Sequence, residues 1–181
     1  KKNFYFSIKN HKQKLIAFKN LKNIFLNLKI DKQTELLEKI TNTKKRKNYS
    51  EICLNSKEIK ILDKHPLITI GSHSHNHLNF KILSYDEIQH EVAKSLEILE
   101  NLLNHEIKHF CYPYGGKNQT SHREFNIIEN LNFDSAVTGR TYPIKNYNLF
   151  SLPRIYVGKN TCEEMLINHL SGFYNLAKKF F

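Results

Sequence analysis

The sequence predicts an α/β fold with parallel strands, and three observations support this. From residue 50 onward, short β-branched or aromatic stretches alternate with amphipathic helical stretches. The helical stretches begin at recognisable capping signals, and two unusual motifs each follow directly after a predicted strand. Alternation of this kind implies crossover helices between parallel strands, in a sheet or a barrel. In such folds the chemistry gathers at the carboxyl ends of the strands.

The helices of this region are predicted from their first residues. In a capping box, a Ser, Thr or Asn and a Glu three residues later satisfy each other's backbone N–H groups. Such boxes occur at Asn55–Glu58, Ser84–Glu87 and Ser121–Glu124, and a capped helix is also predicted from Thr161. The stretch after Ser84 continues with apolar residues at helical spacing as far as Leu103.

Five strands are predicted from β-branched and aromatic runs bounded by glycine or proline. They comprise residues 3–8, 67–70, 107–112, 133–138 and 152–157. The run 67–70 stops at Gly71, and the run 107–112 ends in Pro113-Tyr114-Gly115-Gly116.

The first third of the chain is strongly basic and predicted to be helical over residues 13–42. Residues 1–65 hold 17 Lys and Arg against 6 Asp and Glu, whereas residues 66–181 hold 11 of each. A polyanion-binding surface is one interpretation of this excess. Compositional drift is the other, and it is favoured because 24 of the 28 basic residues are Lys, whereas phosphate and base recognition favours the planar Arg side chain.

The size and composition fit one ordinary domain, 1–181, in which residues 1–49 are a basic, partly helical insertion. The chain of 181 residues is 40% hydrophobic and 25% charged, which is typical of a globular domain. It contains no run of about 18 apolar residues, and no signal peptide is visible at its beginning. The chain does not begin with Met, which favours a longer or processed natural product. Its three cysteines, Cys53, Cys111 and Cys162, fit no disulfide framework.

A histidine cluster, His73-Ser74-His75-Asn76-His77, follows the predicted strand 67–70. Imidazole is a good ligand for zinc, and two His four residues apart can meet one ion on a helical turn. In an extended segment, His73, His75 and His77 would instead share one face. Since a catalytic zinc usually needs three protein ligands, a third ligand is expected from elsewhere.

At these two motifs the sequence resembles the polysaccharide deacetylases, the NodB-homology group of carbohydrate esterase family 4. The stretch 70–77 resembles their His-Ser/Thr-x-x-His metal motif, and the stretch 110–115 resembles their aromatic-x-Tyr-Pro-x-Gly groove motif. The spacing and the intervening helix also match, and the resemblance covers about residues 50–175.

The resemblance implies a distorted (β/α) barrel of the polysaccharide deacetylase type and a divalent metal, most often zinc. It implies hydrolysis of acetyl groups, more often on nitrogen than on oxygen, by a metal-activated water. By position, His73 and His77 would be metal ligands, and Ser74 would support their loop. Tyr114 would offer its backbone N–H to the oxyanion and its ring to the groove. The remaining groove residues are Tyr112, Pro113, Gly115 and Arg154; Arg154 would either reach the groove or pair with a carboxylate.

The sequence departs from the family pattern in three places. The family begins with a strand that ends in Thr-Phe-Asp-Asp, which supplies the catalytic base and the third metal ligand; this chain has no such motif. The first strand of the fold is therefore expected to be missing, and truncation is favoured over natural degeneration. Cys111 stands where many relatives carry an Arg that orients the catalytic Asp. The late Leu-x-His motif is not clearly present, and His169 is interpreted as a surface or core residue.

Three functional hypotheses follow from the sequence. The leading one is a metal-dependent deacetylase acting on a cell-surface or cell-wall polysaccharide, with the catalytic residues unknown. The second is an inactive relative that binds or assembles glycans. The weakest is a basic module that binds nucleic acid or a membrane. We expect an acetylated polysaccharide as substrate and no nucleic acid, while peripheral contact with an anionic membrane or glycan stays open. The resemblance favours the cell envelope or the extracellular space.

Overall fold

A computed structural model describes residues 5–41, 50–142 and 148–173. By the proximity of its Cα atoms, the chain divides into two compact units, Lys1–Lys47 and Asn48–Phe181.

The first unit contains two helices, α1 (His11–Leu26) and α2 (Ile30–Thr41). The side chain of Asn10 caps α1 by accepting a hydrogen bond from the Gln13 N–H, 2.9 Å away. The side-chain amide of Gln33 in α2 donates to the Phe25 and Leu28 carbonyl oxygens, at 3.1 and 2.8 Å, and so fixes the turn between the helices. The predicted helical region is confirmed, with a break at residues 27–29.

The described part of the second unit contains four α-helices: α3 (Ser56–Asp63), α4 (Tyr85–Leu103), α5 (His122–Glu129) and α6 (Glu163–Leu170). All three predicted capping boxes are present, at Asn55, Ser84 and Ser121. The helix predicted from Thr161 begins two residues later, after Cys162, which gives no side-chain cap. Local hydrogen bonding thus decides where these helices begin.

Four chain segments lie side by side in this unit, and all of them run parallel. The strands β1 (His109–Cys111) and β2 (Ser135–Val137) form the paired centre, with Phe110 opposite Ala136. Ser72 adds a single bridge to Phe110 on one side, and Leu152 adds one to Val137 on the other. Helices α4 and α5 make the crossovers, as the predicted alternation requires.

The predicted strands differ from the observed ones in length and position. Residues 68–70 form no strand, because pairing with β1 begins only at Ser72, beyond Gly71. The strand predicted at 152–157 contributes one bridge at Leu152, and beyond it Tyr156 and Val157 are exposed. Residues 5–8 are unpaired as well, while residues 3 and 4 lie outside the described part of the chain. These three predictions of strands are wrong, since a strand requires a partner that local sequence cannot specify.

The core of this unit lies between the parallel segments and the crossover helices. Phe110 is the centre of an aromatic group, with its ring centroid 5.9 Å from Phe80 and 5.3 Å from both Tyr112 and Phe133. Because side chains alternate along a strand, Phe110 and Tyr112 share the core face, and Cys111 between them faces the other way. The helices contribute Ile88, Val92, Phe125 and Ile128 to the same core.

One buried carboxylate ties α5 to the turn that precedes α4. Glu124 is fully buried and accepts hydrogen bonds from the Ser121 N–H and hydroxyl, at 2.6 and 2.8 Å, and from Arg123 at 2.7 Å. Arg123 also donates to the Phe80 and Leu83 carbonyl oxygens. Although burial alone would raise it, the pKa of Glu124 is lowered, because these donors favour the charged form. Among the residues that the structure describes, no helix combines the length and apolar character needed to cross a membrane.

A surface contact between α3 and the residues after α4 leads to the first prediction. His105 lies 2.9 Å from a carboxylate oxygen of Asp63 through Nε2, and 3.0 Å from the Glu106 carbonyl oxygen through Nδ1. The Glu106 carbonyl first, and then Asp63, raise the pKa of His105. A raised folded-state pKa stabilises the fold. This stabilisation is fully present below the unfolded-state pKa of about 6.5, and it is lost as the pH rises through the folded-state pKa.

We therefore expect His105→Gln to lower the melting temperature more at about pH 5.5 than at about pH 9. The loss is small because the pair is exposed to solvent. The matched variant Asp63→Asn should show the same pH dependence in a thermal unfolding experiment. A difference in melting temperature from the wild type that is the same at both pH values would contradict the role of this pair.

Candidate functional site

The predicted site residues come together at the carboxyl ends of the parallel segments. His73 follows Ser72, and Tyr114 lies three residues beyond the end of β1. Gly139 lies two residues beyond β2, and Arg154 two residues beyond Leu152. Four separate stretches of sequence therefore meet at one edge, as the strand alternation predicts.

His73 and His77 form the centre of this site. Their ring centroids are 4.7 Å apart with the planes at 76°, and the ring of Tyr114 lies 4.7 Å beyond His77 at a similar angle. Both histidines are accessible to solvent. His75, between them, is also exposed and packs on neither ring. The structure thus brings together two of the three histidines of the cluster.

The ring orientation of His73 is set by the main chain of β1. Its Nδ1 lies 2.6 Å from the Cys111 carbonyl oxygen. A carbonyl oxygen can only accept, so Nδ1 must donate and carry the proton. In the neutral ring, Nε2 then holds the free lone pair. This is the arrangement that orients a histidine for metal ligation.

The two imidazoles are held in different electrostatic environments. Burial first, and then the neighbouring charge of His73, lower the pKa of His77 and favour its neutral form. The pKa of His73 is raised, chiefly by hydrogen bonding with Cys111. Burial raises the pKa of the Cys111 thiol, but His73 and Arg154 outweigh it and lower the pKa overall. His77 is therefore available as a neutral ligand at lower pH than an ordinary histidine.

The loop that carries the histidines is tied down by helix α4. Glu91 is 5% exposed and accepts 2.7 Å hydrogen bonds from the main-chain and side-chain N–H groups of Asn76. The Ser72 hydroxyl lies 2.9 Å from that of Ser95, one turn further along the helix. Ser74 accepts from the His77 N–H at 3.1 Å, which agrees with its predicted supporting role.

The loop also holds unusual backbone conformations. Ser74 and His77 have φ angles of 63° and 54°, and Tyr114 in the facing loop has 62°. Such left-handed conformations cost energy in residues other than glycine, and they persist only where surrounding contacts determine them. Hydrogen bonds with Glu91 and Ser74 fix these conformations in the histidine loop. They keep the two imidazoles together.

The groove residues predicted after β1 separate into exposed and buried ones. The Tyr114 ring is 42% exposed, and its N–H bonds to no acceptor in the described part of the chain, so both are available to a ligand. Tyr112 and Pro113 are fully buried, and the Tyr112 hydroxyl donates to the Phe150 carbonyl oxygen at 2.8 Å. Tyr112 and Pro113 therefore belong to the core beneath the groove rather than to its surface.

Gly115 is placed where a side chain would not fit. Its φ is 58°, and a Cβ atom there would clash with the backbone nitrogen of Gly139. The two backbones are joined by a 2.9 Å hydrogen bond from the Gly139 N–H to the Gly115 oxygen. The loops after β1 and β2 thus pack main chain against main chain.

Arg154 reaches the site rather than a carboxylate. Its Nε donates to the Thr138 carbonyl oxygen at 2.7 Å, and its charge acts on Cys111 and His73. Within the described ranges, Arg154 forms no ion pair with an acidic side chain. A cation therefore lies close to Cys111 and His73.

The histidine pair fits two positions of a divalent metal site. Zinc binds well to neutral imidazole nitrogens that present a lone pair, and both rings can do so. Over residues 5–41, 50–142 and 148–173, no third His, Cys, Asp or Glu completes a cluster with them. The described residues thus offer part of a ligand set.

The comparison with known proteins agrees with these motifs. Residues 47–134 match the model of the polysaccharide deacetylase family. The match spans just under half of the chain. The match contains both the histidine cluster and the Tyr-Pro-Tyr-Gly loop. Members of the family are hydrolases that generally depend on a divalent metal. No curated protein matches the chain in sequence.

Solved structures of polysaccharide deacetylases share the fold. The deacetylase PplD of Streptococcus pyogenes, solved in complex with acetate, superposes with a TM-score of 0.58 at 24% identity, over 65% of this chain and 50% of that one. The polysaccharide deacetylase BC0361 of Bacillus cereus gives 0.55 at 19% identity, over 65% and 36%. BA0330 of Bacillus anthracis gives a TM-score of 0.55 at 18% identity, also over 65% of this chain and 36% of that one. The predicted polysaccharide deacetylase fold is confirmed, and this chain spans half or less of these proteins.

Sequence reasoning missed the residues that hold the histidine loop. Glu91 and Ser95 lie on the same side of α4 as Ile88 and Val92, and all four are buried. Polar residues on the apolar stripe of a helix need buried partners. That pattern was visible in the sequence, but the identity of the partners, Asn76 and Ser72, was not.

The Glu91 contact leads to the second prediction. In Glu91→Gln, an amide NH₂ replaces one acceptor oxygen, so one of the two Asn76 N–H groups loses its partner. We expect the free energy of unfolding to fall by about 1–3 kcal/mol, and the imidazole NMR signals of His73 and His77 to move as their loop loosens. Glu97→Gln, on the exposed face of the same helix, is the matched control and should change neither. Unchanged imidazole signals in Glu91→Gln would show that Glu91 does not position the loop.

Proposed function

We propose that this chain carries part of the site of a metal-dependent deacetylase, which removes acetyl groups, chiefly N-acetyl, from a cell-wall or cell-surface polysaccharide. The observation that carries the proposal is the His73–His77 pair beside Tyr114, 4.7 Å between successive ring centroids, at the carboxyl ends of the parallel segments. The match of residues 47–134 to the polysaccharide deacetylase model supports the same reaction class. The cell envelope is the corresponding location.

The histidines would be ligands of a divalent metal, and zinc is the metal that suits them best. Nε2 of His73 is presented by the hydrogen bond of Nδ1 to the Cys111 carbonyl oxygen. A neutral His77 is favoured by its lowered pKa. When bound, such a metal supplies Lewis-acid activation of water and of the acetyl carbonyl.

Tyr114 would bind and polarise the acetyl group. Its N–H has no acceptor within the described residues, and the φ of 62° is maintained by the facing loops. A preorganised donor of this kind stabilises the oxyanion that develops on the carbonyl oxygen. The half-exposed ring would cover one side of the sugar, with Gly115 providing the close approach behind it.

Arg154 would place a positive charge at the carboxyl ends of the parallel segments. Its guanidinium lies beside Cys111, where a small side chain leaves room for it. A cation here favours an anionic group close to His73, such as a carboxylate base or the acetate product. Arg154→Lys would retain the charge but lose the planar fork.

The proposal predicts zinc binding through two histidines and not the third. By titration of zinc into the chain, His73→Gln and His77→Gln should each weaken affinity by at least about tenfold. His75→Gln is the matched control in the same loop and should bind zinc like the wild type. Zinc affinity that is unaffected by either His73→Gln or His77→Gln would overturn the metal site.

A glycan-binding or assembly protein of the same fold is the second candidate. It is favoured by the lack of a third His, Cys, Asp or Glu beside the pair in the described part of the chain. Under this hypothesis the chain binds N-acetylglucosamine oligomers but releases no acetate at any zinc concentration, and Tyr114→Ala weakens binding. Acetate release that depends on His73 and His77 would exclude it.

A further inference from the structure

The first unit carries a concentration of positive charge that the deacetylase site does not use. Residues 1–30 contain eight Lys and no Asp or Glu. Four of these lysines, Lys12, Lys14, Lys19 and Lys22, belong to α1, and in the described part of the chain none of the four forms an ion pair. In α2, by contrast, Lys32 and Lys39 both bond to Glu35. The charge of α1 is therefore free to meet an external anion.

Exposed apolar side chains lie among these lysines. Leu15, Ile16 and Phe18 are 46, 49 and 65% exposed. Positions three and four apart share one face of a helix, so Leu15 and Phe18 alternate with lysines on one side of α1. Ile16 lies on another side, where it lines a cavity with Phe6 and Ala17. We define the basic face of α1 by five residues: Lys12, Leu15, Phe18, Lys19 and Lys22.

Packing within the unit does not account for these apolar residues. The inward side of α1 is formed by Ala17, which is buried, and by Leu21 and Ile24, which are half-buried and follow it at helical spacing. The basic face is a second apolar set that points to solvent. Tyr5, just before the helix, is 87% exposed as well. An exposed set of this size on a helix indicates a binding surface.

We propose that the basic face of α1 docks on the surface of an anionic lipid bilayer, with α1 lying in the plane of the interface. A bilayer can bind both kinds of side chain on this face. The lysines attract acidic headgroups, while the apolar side chains enter the boundary of the acyl chains. Lysine stems can also lie along the apolar layer with their ammonium groups in water. A nucleic acid would bind only the lysines, and Leu15 and Phe18 would remain exposed to water.

The first test measures charge dependence with the full 181-residue chain and sedimented vesicles. Binding is expected with about 30 mol% phosphatidylglycerol in phosphatidylcholine and not with phosphatidylcholine alone, and it should weaken between about 0.1 and 0.5 M NaCl. The variant Lys12→Gln/Lys19→Gln should bind about 25-fold more weakly, about fivefold for each lysine.

The matched control removes the same charge elsewhere. Lys94→Gln/Lys108→Gln takes two lysines from ion pairs in the second unit, and its vesicle binding should stay within about twofold of the wild type. An equal loss in both double variants would show that net charge alone governs binding, and it would overturn the proposal. Absence of binding to the anionic vesicles would do the same.

The second test asks whether the apolar side chains enter the lipid. The chain contains no Trp, so Phe18→Trp provides a single fluorescent reporter on the basic face. Its emission should shift to shorter wavelength with anionic vesicles and remain unchanged with single-stranded DNA. Phe18→Ser should weaken vesicle binding by about tenfold. No shift with vesicles, or full binding by Phe18→Ser, would overturn insertion in favour of a purely electrostatic contact with polyanions. Neither readout depends on zinc or on acetate release.

Discussion

Two backbone hydrogen bonds place the histidine loop beside β1, and the whole site depends on them. The Ser72 N–H donates to the His109 oxygen and the Cys111 N–H donates to the Ser72 oxygen, both at 2.8 Å. Because the segments run parallel, the chain leaves both at the same edge. A slip by one residue would turn His73 to the opposite face of the sheet and remove its contact with the Cys111 carbonyl oxygen.

The loop that follows this pairing has unfavourable backbone conformations, and the core of the domain stabilises it. Left-handed backbone at Ser74 and His77 is retained because hydrogen bonds with Glu91 and Ser74 hold the loop. Glu91 and Ser95 occupy positions on α4 where apolar residues would add more hydrophobic stabilisation. Their hydrogen bonds instead fix the orientation of the loop. The site is thus preorganised from the helix behind it rather than from contacts between the histidines themselves.

The two compact units have different surface chemistry. The second unit contains the histidine pair, the aromatic groove and a neutral balance of charge. The first unit contains the lysines of α1 with exposed Leu15 and Phe18 between them. The proposed hydrolysis and the proposed lipid contact therefore rest on separate groups of residues. Either one can be removed by substitution without touching the side chains of the other.

Local signals in the sequence determined where the helices begin and which family motifs are present. The capping boxes at Asn55, Ser84 and Ser121 were predicted because both partners lie within four residues of each other. His73 and His77 were identified by their spacing, and the two motifs by their resemblance to polysaccharide deacetylases. The match of residues 47–134 to the model of that family, and the shared fold, agree with the same short stretches.

The tertiary structure decided the strands, the supporting residues and the burial of the groove residues. The strand predicted at 67–70 was wrong, since the backbone partner of Ser72 lies 38 positions away at Phe110. Tyr112 and Tyr114 are two residues apart, yet one is in the core and the other is half-exposed, because the chain turns at Pro113 out of the strand. The bond of Glu91 to Asn76 spans 15 residues. Such contacts depend on how the whole chain packs, and no local pattern specifies them.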